Sequence, residues 1–173
     1  MKNANLKNFE LISPKYERDN ISLGLSRISK VLEQLRNPCK KVPAVQVIGT
    51  NGKGSITAFI ESILFEDKQN FGVTTSPHLF DITERIRVNK KNISKEEFQL
   101  IFEKIEKNFS TFKLSPFEKI ICSALKFFDE KKVDLLILEA GLGGKLDATT
   151  AHKLRPIIAI GKIGLDHKEY LGD

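Results

Sequence analysis

Residues 43–64 run P-A-V-Q-V-I-G, then T-N-G-K-G, then S-I-T-A-F-I-E-S-I-L. The first stretch is a short β-rich run. In the last, Ile56, Phe59, Ile60, Ile63 and Leu64 recur at helical spacing. A strand that turns through glycines directly into a helix is compatible with few architectures. Successive N–H groups in such a turn, backed by the positive end of the helix, form a concave site matched to phosphate oxygens. Lys53 adds a point charge able to reach the outer phosphates. The bland alternative is a glycine turn that merely connects strand to helix. A lysine directly after Gly52, at the base of an amphipathic helix, argues against it.

The remaining elements alternate in the same way. Ile21, Leu25, Ile28, Leu32 and Leu35 lie on one face of a helix over 21–35, which Asn37-Pro38 ends. F-G-V-T-T (71–75) reads as a second strand, left at Ser76-Pro77-His78, and 81–92 as an irregular charged stretch. Ser94 with Glu97, and Ser115 with Glu118, are capping boxes, so two further helices are predicted, the second with Pro116 at its first position. V-D-L-L-I-L-E (133–139) and P-I-I-A-I-G-K-I (156–163) are nearly continuous apolar runs, as expected of strands buried on both faces. The fold class is therefore α/β, a mostly parallel sheet flanked by helices, with ligands beyond the carboxyl ends of the strands.

The loop departs from G-x-x-x-x-G-K-[ST]. Val47 stands at its first glycine, and Gly54 stands where a magnesium-binding hydroxyl would directly follow the lysine. Oxygen ligands for magnesium are then expected at neighbouring strand ends, where Ser76, Glu139 and Asp166-His167 sit. Glu139 closes an apolar strand before a glycine turn and fits best, against the alternative of a solvated loop carboxylate. For His167, chemistry alone leaves metal ligation level with a supporting or core role. His152, in a polar connection, is expected on the surface.

The chain has 173 residues, a single-domain length, with 40% hydrophobic and 29% charged residues, which excludes disorder. A net charge of +6 favours anionic partners, but the basic residues are scattered, in pairs such as Lys40-Lys41, Lys90-Lys91 and Lys131-Lys132. No Arg-rich arm or aromatic platform points to nucleic acid. The two cysteines, Cys39 and Cys122, lack disulfide or zinc spacing. M-K-N-A-N-L-K-N-F-E has no apolar signal region and no membrane-length apolar run occurs, so a cytoplasmic address and no membrane partner are expected.

Five motifs in order carry a family resemblance: G-T-N-G-K-G-S (49–55), S-P-H-L (76–79), E-R-I-R-V-N (84–89), L-E-A-G-L-G-G-K-L-D-A-T (138–149) and G-L-D-H-K-E-Y-L-G (164–172). Together they resemble the signatures of folylpolyglutamate synthase and the bifunctional dihydrofolate synthase, within the Mur ligase superfamily. The resemblance implies a P-loop-containing, Mur-ligase-type central ATPase domain. It also implies a ligase that uses ATP and Mg2+ to join L-glutamate to dihydropteroate or a reduced folate through an acyl phosphate. Thr50, Asn51, Gly52, Lys53, Gly54 and Ser55 would cradle the phosphates, and Ser76, Glu139 and His167 match magnesium-binding positions. Lys53, Glu139 and His167 would serve the chemistry directly.

Ser115, Pro116, Phe117, Glu118, Leu146, Asp147 and Ala148 match positions lining the pterin pocket. Asp147 could accept paired N–H donors of the ring, or could simply form the turn. Lys145 replaces the family's usual arginine and Thr150 its asparagine. The family has a second, carboxyl-terminal domain, so residues 1–173 are expected to be one incomplete ATP-binding domain, a monomer, and inactive as a ligase by itself. Two other readings stay open: a relative acting on another carboxylate, such as a muropeptide or cyanophycin-type substrate, and a non-catalytic nucleotide-binding fragment.

Overall fold

A computed structural model describes residues 21–172. The reading of residues 1–10 as lacking a signal region lies outside them. In chain order the elements are α1 (Ser26–Gln34), β1 (Ala44–Ile48), α2 (Lys53–Glu66), β2 (Phe71–Thr74), β3 (Ile86–Val88), β4 (Lys91–Asn92), α3 (Lys95–Asn108), α4 (Pro116–Glu130), β5 (Leu135–Glu139), β6 (Ile157–Ile160) and α5 (Lys168–Leu171). The sheet order is β4-β3-β2-β5-β1-β6. Strands β2, β5, β1 and β6 run parallel, whereas β3 and β4 are antiparallel additions at one edge.

Side chains alternate across a strand, so parity decides which layer each residue joins. Leu136 and Leu138 of β5 face a large core with Ile28 and Val31 of α1, Phe98 and Ile101 of α3, and Ile120, Leu125 and Phe128 of α4. Val45, Val47, Val73 and Ile137 face the other side, where Ile56, Ile60 and Leu64 of α2 pack. The register Val73↔Ile137 sets β2 beside β5, and Val47↔Glu139 sets β5 beside β1. The carboxyl ends of the parallel strands, which carry the motifs, therefore lie at one end of the sheet.

Both capping boxes form as the sequence requires. The Ser94 and Ser115 hydroxyls accept from the N–H of Glu97 and Glu118, and each glutamate accepts the serine N–H in return. Four expectations need correction. Helix α1 starts at Ser26 rather than Ile21, because Gly24 takes φ +132°, outside helical space. The stretch 81–92 is not irregular: a 3-10 turn (Ile82–Arg85) leads into the β3–β4 pair. Strand β6 is not buried on both faces, for among the described residues it pairs only with β1 and leaves Ile157, Ile158 and Ile160 exposed. His152 is buried rather than on the surface, and its Nε2–H donates to the Val42 carbonyl at 2.9 Å. Burial and the nearby Arg155 hold this imidazole below its ordinary pKa, against the pull of backbone carbonyls. Among the described residues no helix is long and apolar enough to cross a membrane.

Candidate active site

The turn from β1 into α2 is made by close contact and by two glycines at positive φ, Gly49 and Gly52. Gly52 caps the helix at φ +84°. A Cβ on Gly161 would meet the Asn51 carbonyl oxygen at 2.6 Å, so the segment after β6 can press against the loop only as glycine. That contact uses up part of the expected cradle. Thr50 N–H and Asn51 N–H both donate to the Lys162 carbonyl, at 2.9 and 3.2 Å, and the Thr50 hydroxyl is tied to Gly164. The donors that face outward are those of the first turn of α2, Lys53, Gly54 and Ser55, which have no intrahelical acceptor. Gly54 has no heavy atom within 4 Å of where its Cβ would lie, leaving room for an anion. The Lys53 ammonium folds back onto the Gly49 and Thr50 carbonyls at 2.7 and 3.2 Å.

Glu139 shares the parity of Ile137 and therefore points to the α2 side of the sheet. It is only 4% exposed, and its Oε2 has no hydrogen-bond partner; the nearby Thr57 hydroxyl has none either. Burial pushes this carboxyl up to about 7, while the Lys53 and Arg87 charges pull it back down. A buried carboxylate oxygen left unpartnered is costly. Its hard-oxygen chemistry fits a divalent cation.

A cavity of about 290 Å³ opens at the same end of the sheet. Its wall includes Ser115, Pro116, Phe117, Glu118, Leu146, Asp147 and Ala148, together with Ser76 and His167. All seven pocket positions named from the sequence thus line one space, and two of the three metal positions join them. Glu139 is not part of that wall; it lies on the phosphate-loop side. Among the described residues no group of three His, Cys, Asp or Glu converges as a ready-made metal site. His167 has φ +47° and precedes α5, with Asp166 and Glu169 carboxylates at 3.8 and 3.9 Å from its ring.

The two acids of the cavity differ in how they are used. Asp147 accepts from Gly141 N–H and Leu142 N–H at 3.0 Å each through Oδ2, and from Thr149 N–H and Oγ1–H at 2.9 and 2.6 Å through Oδ1. Four acceptor sites are about what a carboxylate has. Asp147 therefore forms the turn that shapes the wall. Burial nonetheless raises its pKa, against these hydrogen bonds. Glu118 uses Oε2 for Arg27 (3.1 Å) and for Ser115 N–H (2.7 Å), while its buried Oε1 has no partner.

The rim is held by groups to which the sequence reading gave no role, several of them inside the quoted motifs. Arg85 is fully buried and donates from Nε to His78 Nδ1 at 2.9 Å, fixing the loop after β2. The Glu84 carboxylate accepts from Leu79, Phe80 and Asp81 N–H at 2.8, 2.9 and 2.8 Å. Gln46, Thr149, Thr150 and Arg155 form a further network below the 3-10 turn Ala148–Ala151. A polar residue at a core position, such as Glu61 on the inner face of α2, was the available signal for such groups.

No protein-family model matches the chain. A dihydrofolate synthetase of Saccharomyces cerevisiae is 39% identical over 158 residues, which are 88% of this chain and 37% of that protein. The structure of E. coli FolC in complex with DHPP and ADP superimposes with a TM-score of 0.88 at 35% identity. The chain matches part of the dihydrofolate synthase/folylpolyglutamate synthase family. The superposition covers 96% of this chain and 40% of FolC, so the chain spans well under half the length of these relatives. A bifunctional synthase of the same family, solved with Mn, AMPPNP and L-glutamate bound, matches 92% of this chain and 39% of its own at 39% identity, with a TM-score of 0.81.

Proposed function

We propose that this chain carries the nucleotide site and acceptor cavity of an ATP-dependent ligase that joins L-glutamate to the carboxyl group of dihydropteroate or a reduced folate. One observation carries the reading. A helix N-terminus bearing Lys53 and a cavity lined by all seven expected pocket residues open at the same end of one sheet. The bound ADP, AMPPNP, Mn and L-glutamate in the matching structures support it.

In this reading the N–H groups of Lys53, Gly54 and Ser55 grip the phosphates, and Lys53 exchanges its loop carbonyls for phosphate oxygens. Glu139, Ser76 and His167 would hold Mg2+, which neutralises and orients phosphate oxygens when bound. The cavity seats the acceptor, with Asp147 holding its wall and Phe117 and Leu146 supplying apolar surface. The acceptor carboxylate then attacks the γ-phosphorus, giving an acyl phosphate and ADP, and the glutamate amine displaces the phosphate to form the amide. Most of the rate comes from positioning and charge stabilisation.

The test is incubation of the chain, and of any longer form from the same locus, with ATP, magnesium, dihydropteroate and radiolabelled glutamate, alongside calorimetric titration with ADP and dihydropteroate. Saturable binding of both ligands, with glutamylated product from the longer form, is expected. Absence of binding for either ligand refutes the reading. Nucleotide binding with no product from any form would leave a nucleotide-binding module.

A further inference from the structure

Three side chains gather on the α2 side of the sheet beside Glu139. Arg87 pairs in register with Val73, and so shares its face. Thr75 lies two residues beyond Val73, on the same side. Glu61 comes down from α2, buried among the apolar residues of that helix. The Arg87 guanidinium joins all of them. Nε and Nη2 donate to the two Glu61 oxygens at 3.1 and 2.9 Å, while Nη1 donates to Thr75 Oγ1 at 3.1 Å and to the Glu84 carbonyl. Arginine suits this task because its donors form a rigid planar fork, which lysine lacks.

The fork ties α2 to the far end of β2, the strand that follows it in the chain. Glu61 belongs to the helix whose first turn faces the phosphate site, and Thr75 directly precedes Ser76 at the tip of β2. Resting on the site reading given above, we propose that Arg87 is a positioning residue. Through Glu61 and Thr75 it locks the phosphate-loop helix and the Ser76 end of β2 into one unit, so that nucleotide and divalent cation bind cooperatively. Loss of the fork should leave the phosphate donors of α2 intact but let the cation side drift. A merely structural ion pair would instead lower stability and weaken all binding together.

The experiment measures ADP affinity of the full chain by calorimetry in EDTA and again in Mg2+, for the wild type, Arg87→Lys and Glu61→Gln. In parallel, Mn2+ binding in the presence of ADP is followed by electron paramagnetic resonance. The wild type should bind ADP more tightly with Mg2+. In both variants the EDTA affinity should stay near that of the wild type. The enhancement by Mg2+ should fall about tenfold, within the usual range of coupling between sites, and the bound Mn2+ signal should weaken. An unchanged enhancement in variants whose urea midpoints match the wild type overturns the proposal, as does an equal loss of affinity with and without Mg2+. A wild type that binds ADP with no response to Mg2+ also overturns it, while leaving the nucleotide site standing. A wild type that binds no ADP refutes the site reading itself, and the proposal falls with it.

Discussion

Glu139→Gln separates the cost of a buried charge from every packing effect. In the folded chain this carboxyl rises from 4.5 to about 7, first of all through burial. Its folded pKa is raised, so the folded state holds the proton more tightly than the unfolded chain does. The sign follows: below about pH 4.5 both states are protonated and Glu139 costs nothing, and above about pH 7 both are ionised and the full penalty applies. At about 1.4 kcal/mol for each pH unit, the rise corresponds to roughly 3 kcal/mol. Glutamine keeps the shape and cannot ionise. The measurement is urea unfolding of wild type and variant in EDTA at several pH values from about 4 to 8. The variant should gain on the wild type by roughly 3 kcal/mol across that window, whatever constant offset the amide introduces. In saturating Mg2+ and nucleotide the gain should shrink, since a bound cation offsets the penalty. Curves that run parallel in EDTA would refute the placement of Glu139 as an unpartnered buried carboxylate.

Lys53→Ala removes the ammonium at the start of α2 and should weaken ADP binding by about 2 kcal/mol, near thirtyfold, as for a lost charge-assisted contact; calorimetry checks it. Asp147→Asn replaces an acceptor of four hydrogen bonds with a group that must turn a donor toward N–H groups. It should cost about 2–4 kcal/mol of stability in urea unfolding and abolish dihydropteroate binding. Gly161→Ala drives a methyl group to 2.6 Å from the Asn51 carbonyl, and should displace the loop. ADP affinity should fall while helix content by circular dichroism stays unchanged.

Local rules made much of this molecule legible. The capping boxes at Ser94 and Ser115 fixed two helix starts, and the sequence of the loop pointed to the candidate site at the start of α2. Strand β5 followed from its apolar run, and the pocket positions were implied by the family resemblance. Other features depend on partners that no local pattern reveals. Strands β3 and β4 are three and two residues long, and Arg85 and Arg87 masked them as charged loop, although the first is buried and the second half-buried. The apolar run at Ile157–Ile160 reads the same at a sheet edge as at its centre. His152 is buried because the Val42 carbonyl receives its proton, a contact across 110 residues. Within the loop, only the tertiary contact with Lys162 shows which N–H groups are already used.

The most direct test is a crystal structure of the chain soaked with ADP and Mg2+. The expected result is the diphosphate seated on the N–H groups of Lys53, Gly54 and Ser55, Lys53 turned from its loop carbonyls to the phosphates, and the cation bound by the Glu139 carboxylate. A nucleotide lodged away from the start of α2, or a cation that ignores Glu139, would contradict the account.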